Sequence, residues 1–128
     1  YWRALAEDQD RTVTVELPSG AVPVELSRLD ADDVVDILID NVFAHTGEAV
    51  DFGVSVRLGE REVHLLVHDA GPGFAATAAR RTGSTGLGLD IVRRTVATWG
   101  GRLVTSPIGQ PGASVEVVLP RERRSAAR

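Results

Sequence analysis

Residues 83–93 of the chain read GSTGLGLDIVR, a glycine-rich segment that leads directly into an apolar pattern with helical spacing. Four apolar residues share one face of that helix: Leu89, Val92, Val96 and Trp99. A helix is therefore predicted over residues 87–99, ended by Gly100 and Gly101. Its first amides carry partial positive charge toward the glycine segment, which favours phosphate oxygens. The G-x-x-G-x-G spacing differs from the dinucleotide fingerprint, and a chain without lysine cannot form a P-loop.

A second glycine motif, DAGPG at residues 69–73, follows an apolar run that predicts a strand over residues 62–69. The carboxylate of Asp69 accepts hydrogen bonds and therefore suits the exocyclic amine of a nucleotide base. Gly71 and Gly73 allow the backbone to approach a ligand closely. An ordinary turn explains the same residues, so this motif alone leaves both interpretations open.

Asn41 lies in the other predicted helix, over Asp30–His45, at the margin of its apolar face. Asp30 is the predicted N-cap of this helix. Because a buried amide without a partner costs on the order of 1–3 kcal/mol, something must satisfy Asn41. The residues alone leave open a hydrogen bond to a neighbouring strand or loop and a contact with a bound metal or phosphate.

The rest of the chain predicts further strands. Alternation places them at residues 12–17, 21–26, 51–57, 101–106 and 113–119, the first two as a hairpin-like unit. Residues 70–86 are predicted as a long loop. This order of elements predicts an α+β fold, a two-layer α/β sandwich whose helices cover one face of a mixed sheet. One domain is expected over residues 1–120, followed by a disordered basic tail at 121–128.

The composition narrows the classes of function. The 128-residue chain carries a net charge of −4 and contains no cysteine. This balance argues against binding nucleic acid or a membrane surface by bulk electrostatics, and the missing thiols exclude disulfides and thiolate metal sites. No apolar run approaches the roughly 20 residues that span a bilayer. His64 and His68 share one face of a predicted strand, but no third metal ligand accompanies them.

In combination and in this order, the motifs resemble those of the ATPase superfamily of gyrase, the Hsp90 chaperones, histidine kinases and MutL. Residues 36–46 (DILIDNVFAHT) are similar to the histidine-kinase N box, residues 69–73 to the G1 box and residues 83–89 to the G2 box. The stretch GLGLDIVR at 86–93 is typical of sensor kinases, as is the lead-in AEDQ at 6–9. The resemblance implies the Bergerat-type fold and the ATP-binding catalytic domain of a sensor histidine kinase.

The resemblance also implies a set of site residues. Asn41 would bind the Mg²⁺ that bridges the ATP phosphates, and Asp69 would hold the adenine amine. Gly71 and Gly73 would shape the adenine pocket, and His45 would lie beside the base. The residues expected to surround the phosphates are Gly83, Thr85, Gly86, Leu87 and Gly88. Ser114 matches a hydroxyl near the adenine-binding Asp in the family, although an ordinary sheet serine explains it equally well.

Two positions depart from the family pattern. Ile37 stands where the superfamily's hydrolases place a water-activating Glu, which disfavours a gyrase-like or chaperone-like ATPase. Ala44 stands where kinases often carry a basic residue toward the phosphates. We therefore assign no catalytic residue within the chain. These departures motivate one alternative, a degenerate nucleotide-binding or docking module.

The expected function is donation of the γ-phosphoryl group of Mg-ATP to a histidine on a separate dimerisation domain of the same protein. A response regulator is the expected downstream partner, with no nucleic acid and no direct membrane contact. The expected location is cytoplasmic, whether or not the parent protein is anchored in a membrane. None of the chain's histidines has the sequence setting of a phosphoacceptor. An anti-sigma-type serine kinase shares the three boxes, but the lead-in at 6–9 disfavours it.

Overall fold

A five-stranded mixed sheet in the order β1-β2-β3-β5-β4 organises the computed structural model of the chain. The structure describes residues 2–20, 22–45, 50–71, 87–106 and 112–122. In chain order its elements are α1 Trp2–Asp8, β1 Val13–Glu16, α2 Arg28–His45, β2 Phe52–Leu58, β3 Glu62–Asp69, α3 Leu87–Thr98, β4 Arg102–Thr105 and β5 Ala113–Pro120. β1 pairs with β2 in parallel, whereas the other pairings are antiparallel. The predicted α+β sandwich is confirmed.

The core lies between one face of this sheet and the helices. Val67, Val115 and Val117 project from β3 and β5 into the same buried cluster as residues of α2 and α3. Val92 and Val96 of α3 are fully buried, and Leu89 and Trp99 pack against the cluster, so the predicted buried face of this helix is confirmed. Ala6 of α1 joins the same cluster and docks the lead-in helix on the domain.

α2 begins earlier than predicted, because Ser27 rather than Asp30 is its N-cap. The Ser27 hydroxyl oxygen accepts the Asp30 N–H at 3.1 Å, and the Ser27 carbonyl accepts the Ala31 N–H at 2.8 Å. The prediction of Asp30 as the cap was therefore wrong. The Asp30 carboxylate instead accepts the indole N–H of Trp99 at 2.8 Å. This bond joins the start of α2 to the end of α3, so the two helices run antiparallel.

The strand predicted at residues 21–26 is not present among residues 22–26. β1 pairs with β2 across the α2 crossover, so no hairpin forms at this edge. Pro23 lacks the N–H that a ladder position requires. Val24 and Leu26 nevertheless pack against the core, which accounts for the alternation that suggested a strand.

Residues 121 and 122, which follow β5, are hydrogen-bonded to the domain. The Arg121 N–H donates to the Arg61 carbonyl at 2.8 Å, and the Glu122 N–H donates to the Pro23 carbonyl. The prediction of a disordered tail is therefore wrong for these two residues, and residues 123–128 lie outside the described ranges. A single domain over residues 1–120 stays a prediction. Within the ranges that are described, no helix has the length and apolar character needed to cross a membrane.

Candidate functional site

Asp69 is the last residue of β3, and its side chain is anchored on one oxygen. Asp69 Oδ1 accepts the Gly71 N–H at 2.9 Å and the Ala113 N–H at 3.3 Å. Both donors are backbone groups, so the carboxylate is held by main chain on two sides. Within the described ranges, no group donates to the other oxygen, Oδ2. The half-buried carboxylate therefore keeps one strong acceptor for a ligand.

The turn before β5 closes against the Asp69 segment. The Gly112 N–H donates to the Gly71 carbonyl at 2.7 Å, and Gly112 has a φ of 73°. A Cβ at Gly112 would lie 3.0 Å from the Asp69 carbonyl oxygen, so this close approach favours glycine. The G1 segment and the start of β5 are thus fixed as one unit.

Ser114 is not beside the Asp69 carboxylate. Asp69 pairs with Ala113, whereas Ser114 pairs with His68. Because successive side chains of a strand point to opposite faces, Ser114 and Asp69 lie on opposite faces of the sheet. The prediction that the Ser114 hydroxyl lies near Asp69 was therefore wrong by one position. The neighbour that donates to Asp69 is the Ala113 backbone, which carries no side-chain signal in the sequence.

Asn41 projects from the C-terminal half of α2 and is half-buried. Its amide bonds to no residue in the part of the chain that the structure describes. No described side-chain nitrogen or oxygen is fully enclosed without a partner, so the Asn41 amide reaches the surface. Of the two interpretations that the sequence left open, the bond to a neighbouring strand or loop is not found among these residues. The amide is available to a ligand.

The start of α3 lies directly against α2. A Cβ at Gly88 would lie 3.2 Å from Ile37 Cγ2, so a larger residue at 88 would press on Ile37. Ile37 precedes Asn41 by one helical turn on the same side of α2. The amides at the start of α3 therefore lie next to the Asn41 side of α2, and their partial positive charge favours an anion there.

α2 also contacts the Asp69 end of the sheet. The rings of Phe43 on α2 and Phe52 on β2 meet edge to face with centroids 5.5 Å apart. Phe52 pairs with Asp69 across the ladder. Along α2, Ile37 contacts the start of α3 and Phe43 contacts β2 at the Asp69 end of the sheet, and Asn41 lies between these two positions. The described parts of the three motifs therefore lie around the second half of α2.

Several predicted site residues fall outside what the structure describes. Gly73, Gly83, Thr85 and Gly86 lie in the range 72–86, which is not described. His45 and Leu87 are described only as the last residue of α2 and the first residue of α3, so nothing is said of their side chains. Their roles stay predictions. The described part of the site consists of Asn41, Asp69, Gly71 and Gly88.

The two strand histidines lie on the outer face of the sheet, away from this region. His64 Nδ1 is 3.1 Å from Glu116 Oε2, and the His68 ring covers Gly53, where a Cβ would lie 2.6 Å from its Nε2. Among the described residues, no group of three or more His, Cys, Asp or Glu side chains is arranged to hold a metal ion. The outer face therefore offers ion pairs but no metal site within those ranges.

The ion pair between Arg102 and Glu62 on this face lowers the pKa of Glu62, and a variant can test this effect. Arg102 Nη1 donates to Glu62 Oε2 at 2.9 Å, and this bond holds the pKa of Glu62 below its usual value. A depressed carboxyl pKa stabilises the fold above the unfolded-state pKa, and that contribution is lost as the pH falls through the folded-state pKa. We expect Arg102→Ala to raise the Glu62 pKa in a carbon-detected NMR titration. Arg57→Ala is the control, and an equal rise there would contradict the assignment.

Comparison with known families and structures identifies the family and the fold of the chain. The sequence profile of histidine kinase-, DNA gyrase B- and HSP90-like ATPases matches residues 27–123. The chain belongs to this family. Among its relatives are proteins named as histidine kinases, and the chain is an ATP-binding catalytic domain of that type. The resemblance inferred from the N, G1 and G2 boxes is confirmed.

Two relatives cover nearly the whole chain. The alginate biosynthesis sensor protein KinB of Pseudomonas aeruginosa is 29% identical over 92% of this chain, which spans 22% of KinB. The sensor histidine kinase Hik2 of Thermosynechococcus vestitus is 29% identical over 92% of this chain, which spans 35% of Hik2. The chain thus corresponds to one part of much longer proteins.

Solved histidine kinases share its fold. The catalytic domain of histidine kinase ThkA superposes with a TM-score of 0.81 at 21% identity, covering 95% of this chain and 88% of that one. Full-length ShkA in complex with AMPPNP gives a TM-score of 0.74 at 23% identity, covering 98% of this chain and 30% of that one. At such identities the likeness establishes the fold alone.

Proposed function

We propose that this domain binds Mg-ATP between Asp69 and the start of α3 and donates its γ-phosphoryl group to a histidine on a separate dimerisation domain. The observation that carries the proposal is the anchored Asp69 carboxylate. Two backbone N–H groups fix Oδ1, and Oδ2 has no donor among the described residues. A carboxylate held in this way is ready to accept the exocyclic amine of adenine and would repel the carbonyl oxygen of guanine.

The residues present fit a magnesium ion on the phosphate side. Mg²⁺ prefers oxygen ligands and is commonly held by one or two protein groups together with substrate phosphates. The Asn41 amide offers such an oxygen at the surface and bonds to no described residue. When bound, the ion would neutralise phosphate charge. The amides at the start of α3 supply further positive potential on the same side.

Ile37 supports phosphoryl transfer over hydrolysis. Its Cγ2 packs toward Gly88, so an apolar group occupies the position from which a hydrolase would activate water. Transfer of a phosphoryl group depends chiefly on positioning and charge stabilisation. The nucleophile and any general base would then come from the partner domain. A degenerate docking module remains the second candidate because Ile37 and Ala44 both depart from the family pattern.

Complexes of other kinases support the proposed ligand and downstream partner. ShkA has been solved with AMPPNP, and ThkA has been solved with the response regulator protein TrrA. By extension we propose ATP as the ligand of this chain and a response regulator as the final phosphate acceptor. The roles proposed for His45, Gly73, Gly83, Thr85, Gly86 and Leu87 around the nucleotide follow the same family pattern.

Incubation with γ-labelled ATP and Mg²⁺ tests the proposal. We expect the 128-residue domain to bind ATP in equilibrium dialysis, to release phosphate no faster than buffer and to acquire no label. A longer form that includes a phospho-accepting histidine is expected to acquire acid-labile label. Rapid phosphate release by the domain alone would contradict the proposal, and absence of ATP binding would favour the degenerate module.

A further inference from the structure

Arg11 is buried although it is charged. Its side chain is 6% exposed, and it is the one buried charged or polar side chain among the described residues. Burying a guanidinium is unfavourable unless its donors are satisfied and its face is covered. Arg11 lies just before β1, outside the three nucleotide boxes, and the proposed phosphoryl transfer gives it no role. The burial of this charged side chain therefore needs a structural explanation.

The contacts of Arg11 join the lead-in segment to two parts of the site. Arg11 Nε donates to Gln9 Oε1 at 2.7 Å, and its Nη1 donates to the Val50 carbonyl at 3.3 Å. The guanidinium carbon lies 4.7 Å from the centre of the Phe43 ring. The Arg11 backbone N–H donates to the Ala6 carbonyl at 2.9 Å, which ties it to the docked helix α1. The Arg11 side chain thus contacts Gln9 after α1, Phe43 on α2 and the segment before β2, while its backbone N–H bonds to α1.

The segment before β2 leads directly to Asp69. Val50 is followed by Asp51, whose Oδ1 accepts the Thr12 N–H at 2.9 Å. The Asp51 carbonyl accepts the Ala70 N–H at 3.0 Å. Ala70 is the residue between Asp69 and Gly71 in the G1 box. A shift of residues 50–51 would therefore be passed to the backbone that orients the Asp69 carboxylate.

A second series of contacts, through two aromatic rings, also connects Arg11 with Asp69. Arg11 covers Phe43, Phe43 meets Phe52 at an interplanar angle of 75°, and Phe52 pairs with Asp69. A cation over an aromatic face is attracted by the ring quadrupole, and more strongly when both are buried. Arg11 and Phe52 are buried at 6% and 3% exposure, and Phe43 between them is half-buried. Together they form a rigid support directly behind the Asp69 end of the site.

We infer that Arg11 is a positioning residue for base selection: it fixes residues 50–51 and the Phe43–Phe52 pair, and so holds Asp69 in the orientation that accepts adenine. The inference rests on the proposed nucleotide function. It identifies a residue outside the N, G1 and G2 boxes as a determinant of the preference for adenine over guanine. It also makes the docking of the lead-in segment part of the nucleotide site.

The test is the ratio of dissociation constants for GDP and ADP, measured with Mg²⁺ by competition against a fluorescent ADP analogue. Adenine carries an amine at C6, where guanine carries a carbonyl oxygen, so this ratio reports the orientation of the Asp69 carboxylate. For Arg11→Ala we expect the ratio to fall about tenfold, equivalent to about 1.4 kcal/mol. Arg11→Lys keeps the charge but not the flat, forked donor group, and we expect a smaller fall.

Asp30→Ala is the matched control. It removes the bond to Trp99 at the opposite end of α2 and lowers stability without touching the Arg11 contacts. Its ratio is expected to equal that of the wild type. An unchanged ratio in Arg11→Ala, or an equal fall in Asp30→Ala, would overturn the inference. If Arg11→Ala does not fold, an unchanged ratio in Arg11→Lys overturns it instead. A wild type that binds no ADP would reject the proposed function itself.

Discussion

Asp69→Asn is expected to weaken nucleotide binding roughly a hundredfold while leaving the domain folded. The asparagine oxygen still accepts the N–H groups of Gly71 and Ala113, which Asp69 Oδ1 accepts in the wild type. The amide NH₂ then replaces Oδ2 and presents a donor to the donor amine of adenine. Loss of a charged hydrogen bond together with an unsatisfied donor costs about 3 kcal/mol, or roughly a hundredfold in affinity.

Calorimetry with ADP and Mg²⁺, combined with thermal unfolding, measures both parts of this expectation. Asp30→Asn is the control, because it also replaces a carboxylate that accepts an N–H group but lies at the far end of α2. It should bind ADP as the wild type does. Unaltered ADP affinity in Asp69→Asn would show that the carboxylate does not contact the base.

Gly101→Ala is expected to be the most destabilising single methyl addition in the described part of the chain. A Cβ at Gly101 would lie 2.5 Å from the Val118 carbonyl oxygen and 2.8 Å from Leu119 Cδ2. The first of these atoms belongs to the β5 backbone and cannot move without disturbing the sheet. Overpacking of this kind costs about 3 kcal/mol.

Urea unfolding of the wild type and of Gly101→Ala measures this difference in the free energy of unfolding. Gly20→Ala is the control: Gly20 has a φ of 85°, but a Cβ there would meet no atom within 4 Å. Its cost should be about 1 kcal/mol, from the left-handed backbone conformation alone. Equal losses in the two variants would mean that the close contact of Gly101 with β5 does not matter.

The sequence predicted the elements that have strong periodic patterns and the motifs that have fixed spacing. The buried face of α3, its end at Gly100 and the strand ending at Asp69 follow from local pattern alone. The helix stop is visible because Gly100 has a φ of 81° and the Gly101 N–H donates back to the Val96 carbonyl at 2.7 Å.

The errors arose where tertiary pairing decides between local alternatives. Residues 21–26 alternate like a strand, yet β1 takes its partner from β2, far along the chain. Ser27 and Asp30 are both good caps, and Asp30 has Trp99 as its partner, which no local pattern reveals. The prediction for Ser114 was one position off, because the group of β5 that bonds to Asp69 is the backbone N–H of Ala113 and not a hydroxyl.

Arg11 was not predicted because its environment comes from distant parts of the chain. Its contacts with Val50 and Phe43 span 39 and 32 positions, and no spacing rule connects them. A single arginine before a strand is normally solvent-exposed, so its burial emerges only from the folded structure.

Amide-detected NMR with Mg²⁺ and AMPPNP can locate the bound nucleotide, which we propose lies between Asp69, Asn41 and the start of α3. We expect the largest chemical-shift changes at the backbone amides of Gly71, Gly88 and Ala113 and at the side-chain amide of Asn41. Saturable changes centred on the outer face of the sheet, at His64 and Glu116, or no changes at all would contradict it.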